Sequence, residues 1–135
     1  MHTKFCLFVA GFALLVAAAP VIAHHAFAAE FDIEKPVKVR GTFMKMEWTN
    51  PHAWLYVDVK EADGTVTNWR FELGAPNALI RMGWKKDTLP TGVTVEVEGF
   101  RAKAGGPVAN GRSIKTADGR EFLSGGSGPN SNPTR

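Results

Sequence analysis

Cysteine is all but missing from this chain of 135 residues: Cys6 stands alone, inside the first ten residues. With no second thiol, a disulfide-stapled scaffold is excluded and the fold must rest on its apolar core. Charge of one sign is missing too, since Lys+Arg 16 against Asp+Glu 13 gives a formal net charge of only +3. That excess is too small for a partner chosen by charge, so no nucleic acid is expected, although Arg101, Lys103, Arg112 and Lys115 are basic. Hydrolytic motifs are absent: there is no His-Glu-x-x-His and no Gly-x-Ser-x-Gly. A binding protein is therefore expected rather than an enzyme. No apolar run reaches the ~20 residues that span a bilayer.

What is present begins with an export signal. Met1 to Lys4 carries one positive charge, Phe5 to Ala19 is apolar, and Pro20 interrupts it. Val21-Ile22-Ala23 then sets small residues at −3 and −1 of a cleavage point. Residues 1–23 are read as a signal peptide directing the chain to the periplasm, after which no membrane span remains. Ala26-Phe27-Ala28 offers a rival cleavage point that would discard His24 and His25.

The mature chain alternates with the period of strands and is punctuated by turn residues. Pro36 to Trp48 is the longest run, with Val37 and Val39 on one parity and Met44, Met46 and Trp48 on the other. Gly41 lies between them, which predicts a bulge there. Thr49-Asn50-Pro51 turns the chain into His52 to Lys60, where Leu55, Val57 and Val59 oppose Trp54, Tyr56 and Asp58. Ala62-Asp63-Gly64 is a hairpin signal leading to Val66–Leu73. Ala75 to Gly83 changes to helical spacing, with Pro76 at its start and Gly83 at its end.

Strands over Val93–Phe100 and about Ala109–Thr116 follow, and Arg120 to Leu123 returns as a short hairpin arm. The order predicts a mainly β domain over residues 24–123, a small OB-like five-stranded barrel with one short helix between strands 3 and 4. A sandwich with a covering helix is the alternative. The Gly, Ser, Pro and Asn of 124–135 predict a disordered tail.

Three segments are distinctive together: Glu47-Trp48-Thr49-Asn50-Pro51-His52-Ala53-Trp54, His24-His25-Ala26-Phe27, and Phe71-Glu72-Leu73-Gly74. On these the chain resembles domain-of-unknown-function family 6152, small exported bacterial proteins, from His24 to about Gly126. The resemblance implies export and a β-rich domain. It implies no activity, so chemistry has to come from the residues.

Cleavage after Ala23 makes His24 the first residue. Its free amino group and imidazole Nδ1 then chelate one ion, and His25 adds a third nitrogen, a donor set suited to copper as Cu(II). This resembles the amino-terminal histidine copper sites of secreted monooxygenases, which add a second histidine from a strand or loop. His52 is the candidate for that part. A plain solvated leader is the alternative for His24 and His25.

Met44-x-Met46-x-Trp48 with His52 suggests a Cu(I) site, similar in residue types to the OB-fold copper chaperone of the Cus efflux system. There, however, the histidine precedes the other ligands. Core filling is the simpler reading of these methionines. Trp54 and Tyr56, with Arg70 from the next strand, form a second candidate. Such an aromatic patch suits a small-molecule ligand or a periplasmic or membrane protein partner. Asp32, Glu34, Glu47, Asp58 and Glu72 read as a solvated surface.

Overall fold

The computed structural model describes residues 26–133. Residues 26–30 are helical (α1). The strands are β1 (Phe31–Glu47), β2 (Trp54–Lys60), β3 (Val66–Glu72), β4 (Thr94–Ala102), β5 (Val108–Thr116) and β6 (Glu121–Leu123), with α2 (Pro76–Arg81) between β3 and β4. Neighbouring strands follow the order β3-β2-β1-β4-β5-β6. A parallel pairing of Arg70, Phe71 and Glu72 with Val108, Ala109 and Asn110 closes β3 onto β5. The result is the expected OB-like five-stranded barrel, with β6 as an arm on β5.

Alternation decides the inside. Leu55, Val57, Phe71, Leu73, Val95, Val97 and Ile114 are fully buried, so β2 and β4 each give one parity to the core, while β5 buries both Ala109 and Asn110. Helix α2 carries Pro at its first turn and closes one end of the barrel with Leu79. Trp84 follows, buried, its indole Nε1 donating to Leu123 O at 3.0 Å.

The phase of β1 departs from expectation. Val39 and Phe43 are both buried, so the parity runs unbroken through Gly41. At Gly41–Thr42 the strand leaves β4 for β2, and a Cβ on Gly41 would collide with Asp58 O. Glycine is there for that close crossing, not for a bulge. The bulge comes later, between Phe43 and Lys45, with Met44 as the extra residue. Met44 is therefore 39% exposed while Met46 packs on the core, and the shared methionine face is not formed.

The tail differs as well. Residues 124–133, expected as disordered, lie against the barrel with Ser124 and Ser131 fully buried. Ser124 accepts from Gly74 N at 2.8 Å through its carbonyl, donates from its N to Arg112 O at 2.9 Å, and donates from Oγ to Gly111 O at 2.5 Å. Glycine and serine are used here for close packing and backbone bonding, which composition alone reports as flexibility. No helix among the described residues is long and apolar enough to cross a membrane.

Candidate functional site

The outer parity of β2 and β3 brings the second candidate set together. Trp54 pairs with Glu72, Tyr56 with Arg70, and Asp58 with Asn68 across the two strands. From β1, Lys45 and Glu47 stand beside Tyr56 and Trp54. The aromatic faces are not bare, however. The Arg70 guanidinium lies 5.3 Å from the Trp54 ring centre, and Lys45 Nζ lies 4.5 Å from that of Tyr56. Tyr56 donates its hydroxyl to Glu47 Oε2 at 3.0 Å, and Lys45 Nζ reaches Glu47 Oε1 at 2.6 Å. Burial pushes the Tyr56 phenol up, and its bond to Glu47 adds to that. The Lys45 ammonium, then the Tyr56 hydroxyl, hold the Glu47 carboxyl below its usual range.

His52 sits at one end of this face, just after the turn. The β2–β3 ladder is extended past it by Ala53 N to Gly74 O at 3.0 Å and Leu73 N to Ala53 O at 2.8 Å. Those two bonds hold the backbone on either side of the ring. His52 Nδ1 lies 3.2 Å from Leu73 O. A carbonyl only accepts, so Nδ1 carries the hydrogen of that bond, and in the neutral ring Nε2 is then the nitrogen with the lone pair. The side chain is 38% exposed.

A carboxylate lies near Nδ1. Glu72 Oε1 is 3.8 Å from His52 Nδ1, and only 7% of the Glu72 side chain is exposed. Asn110, fully buried on β5, donates Nδ2 to the same oxygen at 3.3 Å. Its Oδ1 has no partner among the described residues, and Gly128 of the tail packs directly over it. Burial pushes the Glu72 carboxyl above its usual range, against the opposing pull of His52, and the Glu30 carboxylate pushes it further the same way. Sequence reading placed Glu72 on the solvated surface because its parity matches Asn68 and Arg70. Its burial comes from the β3–β5 pairing and the covering tail, which leave no periodic signal.

His24 and His25 lie outside the described residues. The segment that follows them is anchored beside the same cluster. Phe27 is buried, its ring 5.8 Å from Phe31 and 5.7 Å from Phe100, and it approaches Gly128 over Asn110. Lys103 fixes α1 from below, donating from its backbone N to Glu30 O at 2.9 Å and from Nζ to Ala28 O at 2.5 Å. Among the described residues no three of His, Cys, Asp or Glu converge on one point. His52 is thus the described part of the three-histidine set, and Glu72 is the neighbour that sequence reading missed.

Residues 13–111 match a family of unknown function, DUF6152, and the chain belongs to that family. Neither a curated protein nor a solved structure matches it.

Proposed function

We propose that this chain is an exported periplasmic protein that binds copper. The ion would be held by the amino-terminal nitrogen and imidazole of His24, by His25, and by Nε2 of His52. One observation supports the reading: the His52 imidazole is fixed through Nδ1 on Leu73 O, and among the described residues Nε2 makes no hydrogen bond. Metal-binding histidines are commonly oriented in this way, the distal N–H bound and the other nitrogen presented to the ion. Proximity is the supporting argument. His25 is one peptide bond from Ala26, the α1 residue Phe27 lies over Asn110, and Asn110 is bonded to Glu72 beside His52. The set is nitrogen-rich and suits Cu(II) ahead of Zn(II) or Ni(II).

A ligand site on Trp54, Tyr56 and Arg70 has less support. Arg70 and Lys45 already cover the two rings, so a stacking ligand would first have to displace them. Titration of protein recovered from the periplasm with Cu(II), followed by its paramagnetic spectrum, tests the copper reading. One ion per chain is expected, with nitrogen hyperfine structure. His24→Ala and His25→Ala should each weaken binding by tenfold or more, about 1.4 kcal/mol. Unchanged affinity in both variants would remove the reading.

A further inference from the structure

We infer that the fork where β1 passes from β4 to β2 is a binding groove for a small amphipathic carboxylate, an aliphatic chain ending in one ionised acid group. The site shares no residue with the copper reading and does not depend on it. The backbone builds it. β1 pairs with β4 as far as Thr42 opposite Thr94, and with β2 only from Thr42 opposite Asp58 onward. Past Asp58, Val59 and Lys60 pair with β3 instead. The two halves of the barrel wall part there, and a groove of about 480 Å³ lies along the split. That volume is within the range of small-molecule sites.

Its walls gather two kinds of side chain. Among the described residues four large apolar side chains are exposed, and two of them, Met44 at 39% and Val66 at 54%, line this one groove. The bulge explains Met44: as the extra residue of β1 it stays on the outer side and out of the core. Arg40 and Lys60 line the groove as well. Neither pairs with a carboxylate among the described residues, whereas Lys38, Lys45, Arg112 and Lys115 all do. Asp58 is the acidic residue of the wall, and Asn68 Nδ2 donates to it at 2.6 Å. Two cations against one carboxylate leave a single positive charge, which suits a monoanionic acid group better than a doubly charged phosphate. A guanidinium offers a carboxylate two parallel donors, and Thr42 and Thr94, opposite each other across the strands, add hydroxyls. The aliphatic chain takes Met44 and Val66 out of water.

Calorimetric titration of the purified chain with butanoate, hexanoate, octanoate and decanoate tests the groove, with decyl phosphate and decylamine as headgroup controls. Decanoate is expected to bind with a Kd of about 1 mM or tighter, and affinity should rise by up to about fourfold per added methylene. Arg40→Gln and Lys60→Gln should each weaken decanoate about tenfold. Val66→Ser should flatten the dependence on chain length. All three positions are exposed, so the substitutions leave the barrel core intact. Amide chemical shifts of the unsubstituted chain supply a readout that needs no variant: decanoate should move Arg40, Thr42, Lys60 and Val66 first. No decanoate binding, shifts centred elsewhere, or affinity that survives both charge substitutions overturns the site. Decylamine or decyl phosphate binding as tightly as decanoate overturns the carboxylate assignment.

Discussion

Glu98 on β4 stands between cations from two neighbouring strands. It accepts from the Arg112 guanidinium of β5 and lies 3.3 Å from Lys38 Nζ of β1. Arg112, then Lys38, hold its carboxyl below the usual value of 4.5. A lowered folded value means that the unfolded chain takes up the proton first as pH falls. Stability from this group is therefore complete above about 4.5 and is lost as pH drops through the lower folded value. Glu98 is largely shielded but still at the surface, so the contribution is about 1 kcal/mol or less. Glu98→Gln should flatten the acid side of the stability curve, read as urea midpoints from neutral pH to about pH 3, and change little at neutral pH beyond that amount. An unaltered acid slope would show that the three charges do not couple. Glu98 and Glu72 occupy the same kind of polar parity in the sequence. One is a surface ion pair and the other a buried neighbour of an imidazole, and only the folded chain distinguishes them.

Strand boundaries were legible to within a few residues because alternation and turn residues report local geometry. The interior of β2 and β3, the helix at Pro76–Arg81 and the two Asp-Gly turns all follow from spacing that each segment carries alone. What escaped depends on a second element. The β1 bulge at Met44 is set by how β1 crosses from β4 to β2, and the tail's order is set by Gly74, Gly111 and Arg112. The tail can be tested as an element. Ending the chain at Leu123 removes three bonds to the barrel made by Ser124, at about 1 kcal/mol each. A loss of about 3 kcal/mol in urea denaturation is the expectation. A shortened chain as stable as the full one would mean that residues 124–133 contribute nothing to holding the barrel.

At the scale of the whole molecule the first and last of the described residues meet on one seam. The three-residue pairing of β3 with β5 closes the barrel, Asn110 and Glu72 face each other across it, and the tail lies over it. Phe27 reaches the same place from the other end, and Phe27, Phe31 and Pro129 line one shallow cleft. This convergence bears on where the mature chain would begin under the export proposal. Cleavage after Ala28 would remove Phe27, which is 7% exposed and packed on Phe31 and Phe100. Loss of a buried phenylalanine ring costs about 3 kcal/mol or more. Cleavage after Ala23 retains the ring and leaves His24 first. Intact mass of the periplasmic protein is expected to correspond to residues 24–135. A chain made to begin at Ala29 should unfold at lower urea and bind Cu(II) no better than the doubly substituted His24→Ala, His25→Ala protein. A mature mass beginning at Ala29, with undiminished stability, would break the link between the amino-terminal nitrogen and the seam and take the copper proposal with it.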